Sequence, residues 1–310
     1  MTKQETMSCF NSQGLFVFSW FLSRLKIRYA TQKDYRHIER LLDNNWAVQA
    51  RLFRDDIREK LTELITVIAE DRTAMRGLLM VEPIPPFLGL ITVVAFHDNT
   101  NLTTTLDAMI PAVEDKLKEN QIHCLTQVGG DMWFAQELPK HGFTVRERIV
   151  IFEWHGLSLP YLRPHPCLHI RSAHIDDLPQ LQVLDQLTFS PMWYKPKTTL
   201  REALGKAAFF SVGVVEDKIV AYQWSDVYSE QGHITRLATH PDYRGQGIGA
   251  IMLHDAMRSL LDLNIKIVGL NTQESNTDSQ RLYQKFGFQQ VGEPIGVYEK
   301  AIINATFSEL

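Results

Sequence analysis

Tyr243-Arg244-Gly245-Gln246-Gly247-Ile248-Gly249 is the stretch on which the reading of this chain turns. Glycines at alternate positions let a backbone turn tightly and approach a ligand with no side chain in the way. Pro241-Asp242 makes a turn before it, and residues 232–240 read as a strand before that turn. After it, Ile248, Met252, Ala256 and Leu260, reinforced by Leu253, Met257 and Leu261, recur at helical spacing. The glycines therefore sit where a strand gives way to a helix, and the first amides of that helix are left without partners. A helix N-terminus of this kind suits a pyrophosphate, and Arg244 adds a charged fork for a phosphate oxygen. A purely structural glycine turn is the other reading. A P-loop is excluded, because no Gly-Lys-Ser/Thr follows. Gly245-x-Gly247-x-x-Ala250 fits the loose dinucleotide fingerprint, but Pro241–Arg244 separates it from the strand. The next strand is followed by Asn271 rather than a ribose-binding carboxylate.

Outward from this turn, residues 208–216 and 218–224 read as a hairpin around Glu216-Asp217-Lys218. Residues 265–270 read as a short strand, and 278–286 as a helix ended by Gly287 in the left-handed conformation. Much of this order occurs twice. Ile27-Arg28-Tyr29-Ala30-Thr31-Gln32-Lys33-Asp34 and Ile170-Arg171-Ser172-Ala173-His174-Ile175-Asp176-Asp177 share I-R-x-A-x-x-x-D at an offset of 143 residues. Lys140-His141-Gly142-Phe143 matches Lys285-Phe286-Gly287-Phe288 at an offset of 145. Two nearly equal offsets at opposite ends of a unit imply two copies of one domain. In the first copy, 87–96, 122–128 and 149–154 read as strands and 109–117 as helix. Pro160, Pro164 and Pro166 interrupt regular structure between the copies. The expected organisation is a first domain over 27–154, a Pro-rich linker over 155–168 and a second domain over 169–301. Each is α/β, with a mixed, mostly antiparallel sheet flanked by helices.

The second domain resembles the Gcn5-related N-acetyltransferase (GNAT) superfamily. The resemblance is carried by Arg244 to Gly249 and by Asn276-Thr277-Asp278-Ser279-Gln280-Arg281-Leu282-Tyr283-Gln284-Lys285-Phe286-Gly287-Phe288, in the family's order and spacing. It covers 169–301 and reaches 27–154 only at its ends. It implies two tandem acyl-CoA N-acyltransferase-like domains and an acetyl-CoA-dependent enzyme that acylates a primary amine. The backbone of Leu237, Ala238 and Thr239 would hold the pantetheine arm, and Arg244 with the amides of Gly245, Gln246, Gly247, Ile248 and Gly249 the pyrophosphate. Asn276 would orient the cofactor arm or the loop beside it, and Tyr283 would protonate the departing sulfur. A tyrosine hydroxyl, with a pKa near 10, stays protonated at neutral pH and can donate. Tyr283 also reads as a core tyrosine beside Leu282 and Phe286.

Related enzymes that modify protein N-termini carry a glutamate where this chain has Asn271, which cannot act as a base. Glu230 and His233 are the alternative candidates, acting through water, with Asp226 also near the strand edges. Glu274 falls in a loop read as solvated. An α-amine with a pKa near 8 can also lose its proton unaided. Phe189-Ser190-Pro191-Met192-Trp193-Tyr194-Lys195 reads either as a wall of the acceptor slot or as a lid on the core. The first copy has no glycine or arginine at the turn equivalent, His97-Asp98-Asn99-Thr100-Asn101, and has Leu138 in place of Tyr283. It is expected to be catalytically silent, and Gly129-Gly130 does not restore a cofactor turn.

Composition sets outer limits. Apolar residues make up 45% and charged residues 22%, as in a folded globular chain, and the net charge of −4 argues against non-specific nucleic-acid binding. Cys9, Cys124 and Cys167 are far apart, which suggests a reducing, cytoplasmic setting. The apolar run at 14–22 is too short to cross a bilayer, for which about 20 residues are needed. It reads as a packed strand or helix, with a peripheral membrane contact as the alternative. The histidines at 155, 165, 169 and 174 have no metal-ligand spacing, so no metal site is expected. Residues 55–60 read as an exposed charged helix face. A monomer or homodimer is expected. The alternative to an enzyme is a non-catalytic acyl-CoA-binding regulatory or structural protein.

Overall fold

The computed structural model describes residues 25–43, 45, 47–84 and 88–302. The apolar run at 14–22 and Cys9 lie outside them. The chain forms two compact units, one of residues up to Thr144 together with Glu299 onward, the other Val145–Tyr298.

The first unit runs β1 (Lys26–Tyr29), α1 (Tyr35–Asp43), β2 (Val48–Ala50), α2 (Arg54–Lys60), β3 (Ile65–Glu70), β4 (Met75–Ile84), β5 (Leu88–Phe96), α3 (Leu102–Glu119), β6 (Cys124–Val128) and α4 (Met132–Glu137). Its strands lie in the order β1-β3-β4-β5-β6, and β2 also pairs with β5. β3 (ITVIAE) and β5 (LGLITVVAF) are apolar on both faces because helices cover both. The expected helix at 109–117 begins seven residues earlier. The Asn101 side chain accepts the Thr104 amide at 3.0 Å and caps α3 ahead of its apolar stripe.

The second unit runs β7 (Thr144–His155), β8 (His169–Ser172), α5 (Leu178–Thr188), α6 (Lys197–Lys206), β9 (Phe209–Val215), β10 (Lys218–Tyr228), β11 (Gln231–Thr239), α7 (Ile248–Asp262), β12 (Ile267–Gln273), α8 (Thr277–Lys285) and β13 (Gln289–Ala301). Its strand order is β13-β7-β12-β11-β10-β9-β8. From β7 to β8 this order is antiparallel except at β11–β12. Leu253, Ala256, Met257 and Leu260 of α7 pack with Ile234, Val268, Phe152 and Trp154 on one face. On the other face Leu178, Leu181 and Leu184 of α5 pack with Val212, Tyr222 and Trp224. Each such side chain contributes about 1.5–3 kcal/mol by leaving water.

The units divide at Thr144/Val145, ten residues before the expected domain end at 154. The reason is strand pairing, since β7 matches β12 over seven consecutive registers, from Ile267↔His155 to Gln273↔Ile149. The Pro-rich stretch 156–168 carries no helix or strand and lies within the second unit.

The I-R-x-A-x-x-x-D motif has the same physical content in each unit. Arg28 grips Asp34 through two hydrogen bonds of 2.9 and 2.7 Å, and Arg171 grips Asp177 at 2.7 and 2.8 Å. The same aspartates accept the amides of Thr31 and His174, so the pair welds the first strand to the turn that opens the first helix. Arginine holds the Asp177 carboxyl below its usual range, with burial opposing.

Candidate active site

The glycine turn is built as its residue types require. Gly245 and Gly247 have φ of +76° and +83°, a region that L side chains rarely adopt, and a Cβ on either would meet nothing within 4 Å. Gly247 is the N-cap of α7 and, being glycine, supplies no capping side chain. Among the described residues no side chain caps the amides that open the helix, at the positive end of its 15 residues. Arg244 is exposed beside them, its Nε donating to the Thr239 carbonyl at 3.3 Å. Residues 162–166 approach the turn around a cavity of about 410 Å³, lined also by Gln246, Gly247 and Ala250. Arg163 and His165 line it too; the sequence reading did not single out Arg163 and weighed His165 only as a metal ligand.

Next to this turn the sheet opens. β11 and β12 run parallel and pair only at Gln231↔Ile267, Gly232↔Val268 and His233↔Gly269. Beyond His233 the two strands part, while β11 stays paired to β10 as far as Ala221↔Thr239. Register shifts where they part, with Trp224 opposite Arg236 and Ser225 opposite Ile234, so Thr235 is the extra residue of a bulge. The segment from Thr235 to Thr239, which includes Leu237, Ala238 and Thr239, thus has one edge without a strand, leading from the bulge to the glycine turn. An extended ligand arm fits such an edge through backbone hydrogen bonds.

The base candidates separate. His233 stands at the last paired position before the opening, opposite Asp226, and Asp226 in turn accepts the Thr235 hydroxyl. Burial pushes the His233 pKa down, only partly offset by Asp226, which favours the neutral, proton-accepting ring at pH 7. Glu230 sits at the exposed hairpin tip between β10 and β11, about 10 Å further along the strand at 3.3 Å per residue. Asn276 caps α8: its side chain accepts the Ser279 amide at 3.3 Å and donates to Thr272 Oγ1 at 3.2 Å, so it orients the loop after β12. Tyr283 is buried, its ring packed between Phe152 and Phe288 with centroids 5.9 and 6.0 Å away. Burial pushes its pKa up to about 12, with Ser279 pulling the other way. Such a hydroxyl is a donor at any physiological pH.

Residues 178–288 match the Acetyltransferase (GNAT) family. They belong to the GNAT superfamily. The curated N-alpha-acetyltransferase of Saccharolobus solfataricus is 27% identical over 142 residues, which cover 42% of this chain and 84% of that protein. The mycothiol acetyltransferase of Propionibacterium freudenreichii is 24% identical over 158 residues, 46% of this chain and 51% of that protein. Two solved structures share the fold over 91% of this chain. A GCN5-related N-acetyltransferase from Sphaerobacter thermophilus has a TM-score of 0.63 at 14% identity, covering 97% of its own chain. A tandem GNAT protein from the clavulanic acid biosynthesis pathway also has a TM-score of 0.63, at 11% identity and over its full length.

Two features of this GNAT domain were not visible in its sequence. Asp185 of α5, fully buried, accepts from the Tyr222 hydroxyl of β10 and from Arg236 Nε and Nη2 of β11 at 2.9 and 2.6 Å, and from the Lys195 amide. The Arg236 guanidinium lies 3.3 Å from the Phe189 ring centroid. Burial raises the Tyr222 pKa well above its ordinary value, so its hydroxyl remains a donor to Asp185. The second feature is Glu147 of β7, whose carboxylate accepts from Trp193 Nε1 at 2.9 Å and from Ser275 at 3.3 Å. The 189–195 segment is thereby fixed at Phe189 to β11 and at Trp193 to β7. It forms an aromatic strap on the α5 side of the opening, and Phe189 also packs against the α5 core cluster. Among the described residues no three His, Cys, Asp or Glu side chains group as a metal site, and no helix is long and apolar enough to cross a membrane.

Proposed function

We propose that the protein is an N-acetyltransferase with one working site, in its second GNAT unit, moving an acetyl group from acetyl-CoA directly to a primary amine. The observation that carries this reading is the parting of β11 from β12 beside the uncapped start of α7. One extended edge and one anion cradle adjoin, as a pantetheine arm followed by a pyrophosphate requires. Gly245 to Gly249 and Arg244 hold the diphosphate, with Arg163 as a further cation. The 235–239 edge holds the arm and brings the thioester to the bulge at Thr235.

The chemistry is a direct transfer. The neutral amine attacks the thioester carbonyl, a C–N bond forms, and the oxygen takes the negative charge beside backbone amides of the open edge. The C–S bond then breaks, Tyr283 gives its proton to the sulfur, and the new ammonium loses a proton to His233 through water. Holding both reactants in place supplies much of the acceleration, up to about 7–11 kcal/mol in ideal cases. The name of the Saccharolobus relative, N-alpha-acetyltransferase, supports an amine of a peptide, protein or small molecule as the acceptor class.

The tandem organisation, with a degenerate first copy over 27–154, is supported by matching registers. The parallel pairs Gly89↔Leu125 and Leu90↔Thr126 recur 143 residues later as Gly232↔Val268 and His233↔Gly269. The bulge residue Thr92 recurs as Thr235. At the turn equivalent the first unit has Asn101, a side-chain cap that blocks the helix amides a phosphate needs.

Gly247→Trp tests the reading. Acetyl-CoA binding by calorimetry and acetyl transfer to a panel of amines are both expected to be lost, with folding retained by circular dichroism. Undiminished binding would remove the cradle from this account. Binding by the natural chain without transfer to any amine would make it an acyl-CoA-binding protein instead.

A further inference from the structure

In the second unit β11 loses its partner after His233, and the freed edge runs over Thr235 to Thr239. The first unit repeats this arrangement up to the same point. β5 and β6 pair at Gly89↔Leu125 and Leu90↔Thr126 and no further. Beyond it the edge of β5 is not free. β2 lies antiparallel along it, with Val48↔Ala95, Gln49↔Val94 and Ala50↔Val93. The Phe96 amide donates to the Ala47 carbonyl at 2.9 Å, and the Arg51 amide to the Thr92 carbonyl at 2.8 Å. β4 holds the opposite edge of β5, so β2 is on the side from which β6 departs. Arg51 Nη1 reaches the Val128 carbonyl at 3.4 Å, and the Gln49 amide group would lie 2.6 Å from a Cβ on Gly130. Both tie the inserted segment to the β6 side. Its counterpart 143 residues on is 190–194, within the aromatic strap held over the opening in the second unit.

We infer that the first unit's coenzyme slot is filled by the protein's own segment 47–51, a built-in strand that takes the backbone hydrogen bonds an acyl-CoA arm would otherwise make. The residues it covers, 92–96, are the counterparts of 235–239. One region between two strands thus has two fates: a self-peptide seals it in the first unit, and a strap roofs it in the second. The chain binds one acyl-CoA, and mutating the first unit's turn back to glycine and arginine cannot by itself open a second site. The inference rests on the acetyl-CoA reading of the second unit for the identity of the excluded ligand, and on β2 pairing alone for the seal.

Amide hydrogen exchange on the full chain, with and without acetyl-CoA, tests it, together with the calorimetric stoichiometry. The Arg51 and Phe96 amides are expected to be protected without acetyl-CoA and unchanged by it, while 235–239 gains protection and the stoichiometry is one. Fast exchange at Arg51 and Phe96, added protection over 92–96, or a stoichiometry of two would overturn the seal. If protection at 51 and 96 holds while 235–239 does not respond, the seal stands and the acetyl-CoA reading of the second unit fails.

Discussion

Tyr283, the proposed acid, shows how surroundings fix a side chain's protonation state. A phenol packed between Phe152 and Phe288, with its pKa pushed up to about 12, keeps its proton throughout the working range. Tyr283→Phe is expected to lower kcat about 100-fold, the lower range for a lost proton donor, with acetyl-CoA affinity unchanged in a binding titration. His233 is shifted the opposite way. Its free-base form persists to lower pH than an ordinary histidine, so beneath the limb set by the amine's own protonation a second acid limb of kcat/KM is expected below pH ~6.5, and only that second limb is lost in His233→Ala. Asp185 is a structural counterpart. Asp185→Ala leaves the Arg236 charge buried without its partner, a loss of about 3–5 kcal/mol, and denaturant unfolding should show it directly. The positive-φ glycines of the turn and the start of α8 near Asn276 could be read from the sequence because their local spacing carries the signal. Asp185, Arg236 and Glu147 could not. Asp185 and Arg236 lie 51 residues apart, and Glu147 meets Trp193 across 46.

Among the elements, α7 would couple the proposed acetyl-CoA binding to backbone geometry. Its first residue follows a glycine at φ +83°, so Gly247→Val adds a left-handed strain of about 1–2 kcal/mol and intrudes on the phosphate cradle. Both a lower unfolding midpoint and weaker acetyl-CoA binding are expected, measured by chemical denaturation and calorimetry. The β8-to-α5 corner responds to acid. The Asp177 pKa is depressed, so its contribution is present above the unfolded value near 3.9 and is lost as pH falls through the lower folded value. Asp177→Asn should therefore destabilise at pH 6–7 by about 1–2 kcal/mol, a charge-assisted hydrogen bond discounted for the exposure of Arg171, and the difference should vanish towards pH 2. Central strands and the α7 stripe were legible because burial writes its period into the sequence. α3 was shortened in that reading because Thr103, Thr104 and Thr105 hide its first turns behind a polar cap. β2 was missed because three residues are too few to show a period.

Over the whole molecule, the proposed single acetyl-CoA site predicts simple linkage. At a free acetyl-CoA concentration 100 times its Kd, the protein should gain about 2.7 kcal/mol, seen as a higher thermal midpoint that Gly247→Trp abolishes. The sequence by itself determined the α/β class and the glycine turn that opens α7, since each is encoded by residues close together in the chain. Tertiary structure alone decided that β7 joins the second unit, that residues 189–195 are tied to β11 and β7, and that β2 pairs with the edge of β5. Those outcomes depend on which strand edges meet, and edge hydrogen bonds are made by the backbone that every residue shares.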